Sequence, residues 1–140
     1  MLAFVQRLSE LRRNNKVLRQ TRFLHSRPRS ADGKPDMFWR LPSGAAPTRK
    51  DWEDPKTKAI GVELRTSSTT PHYSASDDVI FLMFNNGGDI EIALPPCPPN
   101  TAWERILNTA DPDEGDNCIV GDMVPVAAAS VCVFTLADNT

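Results

Sequence analysis

Sulfur and imidazole are scarce in this 140-residue chain, which has three cysteines and two histidines. Cys97, Cys118 and Cys132 are odd in number, show no CxxC spacing, and have no histidine near them, since His25 and His72 lie well upstream. That pattern argues against a disulfide framework and a zinc site, and for free thiols in a reducing compartment. No apolar run approaches the roughly 20 residues of a membrane span, so no membrane association is expected. The apolar stretch Leu2-Ala3-Phe4-Val5 is followed, not preceded, by Arg7, Arg12 and Arg13, the wrong order for a secretory signal. The chain therefore reads as soluble and cytoplasmic. GxSxG, Walker A, GxGxxG and HExxH patterns are all missing, so no nucleophile elbow, phosphate loop, dinucleotide fingerprint or zinc-protease helix is encoded. No metal or other cofactor is expected.

What is present suits one small folded module. The length is ample for a single core but too short for an α/β barrel, which needs about 250 residues. Apolar residues make up 40% and charged residues 24%, a globular composition. The net charge of −2 hides a polarity: residues 1–30 carry eight Arg or Lys against Glu10 alone, and residues 66–140 carry eleven acids against Arg105 alone. The basic set could meet nucleic-acid phosphates, but no groove-reading motif follows and the acidic remainder would repel a large footprint. No nucleic acid is expected; these arginines are read as solvated or as docking on an acidic neighbouring domain.

The periodicity changes along the chain. From Leu2 to about Leu18, Phe4, Leu8 and Leu11, with Val5 beside them, have the spacing of an amphipathic helix whose other face is Arg7, Arg12 and Arg13. Asn14-Asn15 is a plausible stop, because Asn tolerates the left-handed conformation after a helix end. Ser26–Pro35 reads as a loop. Short strands follow at Met37–Leu41, Ile60–Leu64, Val79–Phe84, Ile90–Leu94, Trp103–Leu107 and Val131–Leu136. The continuously apolar Val79–Phe84 reads as a central strand covered on both faces, and Asn86-Gly87 after it as a hairpin turn. Pro95, Pro96, Pro98 and Pro99 make a stiff connector. Six or seven short strands with turns between them predict a mainly β fold, an antiparallel β-sandwich or barrel, preceded by one amphipathic N-terminal helix.

Candidate chemistry is thin. Glycoside hydrolysis needs two carboxylates about 5–9.5 Å apart. Asp51, Glu53 and Asp54 surround Trp52 but sit in one short segment after Thr48, where acids serve a helix N-terminus; Trp52 then pins that turn to the sandwich. Asp111, Asp113, Glu114, Asp116 and Asp122 imitate a calcium loop, but Asp116 stands where glycine belongs and Asp122 where glutamate does. A solvated acidic loop is the expectation. Of the aromatics, Trp39 and Trp103 fall in strands and read as core, and Tyr73, in a loop after Pro71 and His72, is the candidate for stacking on a sugar ring.

Three stretches together carry a resemblance: LAFVQRLSELRRNNKVLRQTRFL, then RKDWEDPKTKAIGVEL, then DDVIFLMFNNGGDIEIALPP followed by WERILNTADP. Their order and spacing resemble the C-terminal end of bacterial glycogen debranching enzymes, the isoamylase-like glycoside hydrolases of the α-amylase superfamily. The resemblance implies that residues 1–25 are the last helix of an α/β barrel with its connector, and that residues 26–140 are a C-terminal β-sandwich of the α-amylase C-terminal-domain type. It implies that hydrolysis of α-1,6 branches belongs to a barrel outside this chain, whose first residue falls inside that barrel, and that no catalytic residue lies here. Phe4, Leu8, Leu11 and Trp52 are then expected to dock on the barrel. A glucan-binding module is the alternative, with Tyr73 at its site. A helix with an uncovered apolar face also predicts self-association or fraying.

Overall fold

The structure, a computed structural model, describes residues 1–20, 24, 26–28, 33–66, 79–113 and 117–139. Tyr73, both histidines, Glu114 and Asp116 lie outside the described residues. Helix α1 (Leu2–Asn14) runs into a 3₁₀ turn (Lys16–Arg19). Then come β1 (Met37–Arg40), a short helix α2 (Arg49–Glu53), β2 (Ala59–Arg65), β3 (Val79–Asn85), β4 (Ile90–Ala93), β5 (Thr101–Asn108), β6 (Cys118–Ile119), β7 (Met123–Val126) and β8 (Ser130–Asp138). Six strands form one antiparallel sheet in the order β1-β2-β3-β8-β5-β6, and β4 pairs with β7 in a second sheet.

Side-chain alternation along β3 explains the layering. Phe81 and Met83 point to one face, where they join Trp103, Phe134 and Leu136 from the large sheet and Ile92, Val124 and Val126 from the small one. Ile80 points to the other face with Val133 and Leu107, and there Val17, Phe4 and Leu11 pack over them. The fold is thus a lopsided antiparallel sandwich whose outer face is roofed by the N-terminal segment. The apolar run 79–84 is what a strand with both faces covered requires.

Local devices hold the layers in place. The Trp103 indole N–H donates to the Pro95 carbonyl at 2.7 Å, tying the proline connector to the core. At the β1 edge Glu63 accepts from Arg65 Nη2 at 2.6 Å, a buried pair within β2, and from Arg40 Nε at 3.3 Å, a partly exposed pair that joins β1 to β2. In β5 the register shifts between Arg105 and Leu107, and this bulge sends both Ile106 and Leu107 to the outer cluster. All three cysteines are free thiols, Cys132 in the core.

Three local expectations are corrected. Helix α1 stops at Asn14, and Asn15 caps it in an extended conformation (φ −111°), not a left-handed one; its side-chain amide donates to the Leu11 carbonyl at 2.7 Å instead. Asn86-Gly87 is not a hairpin turn. Neither residue has the positive φ that a type I′ turn needs, and the strands on either side belong to different sheets. The buried Asn85 side chain organises this crossover: Nδ2 donates to the carbonyls of Gly88 and Ala127, and Oδ1 accepts from Gly87 N, each at 2.9 Å. Finally, β6 and β7 are additional strands. A two-residue strand leaves no periodicity to read, and Pro125 in β7 speaks against a ladder. It is tolerated in the two-stranded β4–β7 sheet, where only one neighbour has to be paired.

Gly61 lets β2 lie against the core. A Cβ there would come within 2.5 Å of Phe81 Cζ and 2.9 Å of Met83 Cε, both buried. Gly61→Ala is expected to destabilise the domain by about 1–3 kcal/mol through overpacking. A urea midpoint equal to wild type would contradict this packing.

Candidate functional site

Two surfaces on the α1 side of the large sheet stand out. The first is α1 itself. Phe4, Arg7 and Leu11 are half-buried and face the sheet. Arg7, read from the sequence as solvated, lies over β5 and donates through Nη2 to the Ile106 carbonyl at 3.1 Å. The expected apolar trio is therefore divided: Phe4 and Leu11 pack against the outer cluster of the sandwich, while Leu8, at the edge of that face, stays 38% exposed. Leu8 lines up with Leu2 and Val5 at a spacing of three residues, and the three side chains are 73%, 50% and 38% exposed for Leu2, Val5 and Leu8. Arg12 and Arg13 close the helix, where positive charge suits the carbonyl end of its dipole.

The second surface is a cleft of about 480 Å³ between α2 and the ends of β2, β3 and β8. Its floor is the outer face of the sheet, with Ile60, Phe84 and Val131. Trp52 from α2 forms one wall. Phe84 is the one β3 side chain left open, at 42% exposure, and Trp52 is 54% exposed. Trp52 is held from behind, edge-on to Trp39 at 5.5 Å, so it pins α2 as expected while one part of its ring stays free. Trp39 is half-buried at the sheet edge, not core, because β1 has a neighbour on one side only.

The cleft walls are rigid for identifiable reasons. A capping box starts α2: Thr48 Oγ1 accepts from Asp51 N at 3.3 Å, and Asp51 Oδ2 accepts from Thr48 N at 2.7 Å. Across the cleft, Asn86 N donates to the Lys58 carbonyl at 2.8 Å, so both residues are fixed at one rim. Asp51 is the cleft's only carboxylate among the described residues. With a single carboxylate already engaged as a cap, the described residues of the cleft include no acid/base pair for glycoside hydrolysis.

Of the calcium-like acids, Asp111 and Asp113 lie exposed in a turn, and no group of three or more His, Cys, Asp or Glu placed to hold a metal occurs among the described residues. Among the described residues, no helix is long and apolar enough to cross a membrane. Phe84 and Lys58 were not signalled by the sequence, since a Phe inside an apolar strand reads as core and a lone lysine as surface.

The Asp51 carboxyl is held below its ordinary value of 3.8, first by the hydrogen bond from the Thr48 backbone, then by that from its hydroxyl, with Lys50 helping. A lowered carboxyl pKa stabilises the fold above its ordinary value and loses that contribution as pH falls through the lowered one. The α2 cap is therefore expected to loosen only below pH 3.8. An NMR titration should place the Asp51 midpoint under 3.8 in the wild type and nearer to it in Thr48→Val; equal midpoints in the two would contradict the cap.

Comparison with known proteins agrees with the fold. The family described as "Isoamylase, C-terminal" matches residues 36–132, from just before β1 into β8. The chain is 33% identical over 118 residues to proteins named "Glycogen operon protein GlgX homolog" in Mycobacterium bovis and Mycobacterium tuberculosis, covering 80% of this chain and 16% of theirs. It is 30% identical over 86 residues to "Isoamylase 2, chloroplastic" of Arabidopsis thaliana, covering 55% of this chain and 10% of that one. The chain thus spans about 16% of the length of the mycobacterial relatives it matches. On a family match that takes in all but the last part of the sandwich, the chain belongs to the isoamylase C-terminal domain family.

Proposed function

We propose that this chain is the non-catalytic C-terminal sandwich of a glycogen-debranching glycoside hydrolase, and that it packs on and stabilises a catalytic α/β barrel acting on α-1,6 branches of glycogen-type glucans in the cytoplasm. The observation that carries the reading is the outward ridge of Leu2, Val5 and Leu8 on a helix whose other face is already engaged. Fully burying an exposed side chain of this kind is worth about 1.5–3 kcal/mol, and covering the fraction these three still expose gives a corresponding share of that, a pull toward a partner. Family membership and the likeness to GlgX-named proteins support a barrel as that partner. Phe4, Leu11 and Arg7 act from behind, orienting the ridge. Without the barrel, the same ridge favours self-association.

A second reading, compatible with the first, is that the domain also holds glucan. The open Trp52–Phe84 cleft favours it, because no α1 residue lines the cleft and docking on the ridge leaves it unfilled.

The test of the main reading is association in trans with a family barrel truncated before its last helix. The chain should co-purify with that barrel and raise its unfolding midpoint by several degrees, and alone it should release no reducing ends from glycogen. Val5→Asp combined with Leu8→Asp should weaken association at least tenfold while leaving the circular dichroism of the chain unchanged. Association insensitive to that double change, or release by the chain alone, would refute the proposal.

A further inference from the structure

We infer that the cleft between Trp52 and Phe84 is a binding site for a short α-linked glucan segment. The inference rests on the second reading above and gives it a place in the fold.

A pyranose ring offers two chemistries: apolar C–H faces, and a belt of hydroxyls that both donate and accept. The cleft answers both. Trp52 and Phe84 expose aromatic surface suited to the C–H faces. Around them stand polar groups whose hydrogen-bonding capacity is unspent. The Lys58 ammonium and the Asn86 side-chain amide, both exposed, make no hydrogen bond among the described residues. Asp51 uses Oδ2 for both Thr48 hydrogens, at 2.7 and 2.9 Å, which leaves Oδ1 able to accept from a hydroxyl. The volume of about 480 Å³ lies within the range of about 300–1,000 Å³ usual for ligand pockets.

Covering the cleft with an apolar protein surface would strip water from the ammonium, the amide and the carboxylate without replacing their partners, which is costly. A sugar replaces them. Preorganisation favours the same occupant. Trp52 is braced by Trp39 on a helix held by the capping box, and the Lys58–Asn86 hydrogen bond fixes the backbone of the opposite rim, so on binding the aromatic wall loses little freedom and the ordering cost falls mainly on the Lys58 and Asn86 side chains. The site also lies on the α1 side of the sheet, where Phe84 shares the outer face with Ile80 beneath the helix.

The test is a titration of the full 140-residue chain with maltoheptaose, followed by tryptophan fluorescence and by amide and indole NMR shifts, with cellohexaose as the β-linked control. Maltoheptaose should shift the Trp52 indole N–H and the Asn86 side-chain amide. Trp52→Ala should lower affinity at least tenfold, Trp52→Phe should recover part of the loss, and Lys58→Ala with Asn86→Ala should weaken binding several-fold. Tyr73→Ala should bind as wild type. Urea midpoints keep folding defects apart from binding defects, and the Lys58/Asn86 pair, both exposed, serves if Trp52→Ala unfolds. No binding by the wild-type chain at millimolar sugar would refute glucan holding itself. Binding unaffected by the Trp52 and Lys58/Asn86 changes but lost in Tyr73→Ala would leave glucan holding intact and overturn this cleft as its site.

Discussion

The structure is organised by the need to cover the central pair β3–β8 on both sides. Phe81, Met83, Cys132, Phe134 and Leu136 demand a layer on one face, and Ile80 and Val133 demand one on the other. The small β4–β7 sheet answers the first demand and α1 with its 3₁₀ turn answers the second. Each strand that flanks the pair is placed by hydrogen bonding to it, directly or through one neighbour. The crossover after β3 is part of the same solution, since the chain must leave the large sheet to build the opposite layer; a hairpin at Asn86-Gly87 would have left the inner face bare.

Where that covering ends, function becomes possible. Helix α1 is too short and too narrow to roof the entire outer face, so Phe84, Ile60 and Val131 remain open beyond it. The helix itself has more apolar surface than one contact can bury. With Phe4 and Leu11 spent on the sheet, Leu2, Val5 and Leu8 are left for something else. In the proposed reading, the stripe is the surface that meets the barrel and the cleft is the surface left for glucan.

The polar devices of the fold are mostly structural. Glu63 with its two arginines, the Asn85 side chain and the Thr48–Asp51 box satisfy groups that folding removes from water or orphans at a helix end. Asp51 is the exception, because the capping oxygen and the free oxygen belong to one carboxylate, so the device that starts α2 also presents an acceptor to the cleft. In the proposed glucan site, the structural cap would also serve as a recognition group.

Local physical chemistry made much of the molecule readable in one dimension. The 3.6-residue period of α1, the apolar run of β3 and the acids after Thr48 each express a contact within a turn or across a strand, and the three resemblance-bearing stretches pointed to the family; in β2 both faces are covered, so Gly61 and Glu63 are buried although their alternation with Ile60, Val62 and Leu64 reads as a strand with one wet face. Tertiary structure decided what depends on partners distant in sequence. Which residues of α1 pack on the sheet was set by the outer face of β3, β5 and β8, which drew in Arg7 and left Leu8 partly exposed at the edge. That Phe84 is open while Phe81 is fully buried follows from where the helix roof stops, and periodicity along β3 contains no trace of that boundary. The cleft unites α2 with the ends of three strands, so no single segment could announce it; its geometry exists only once β2, β3 and β8 are side by side.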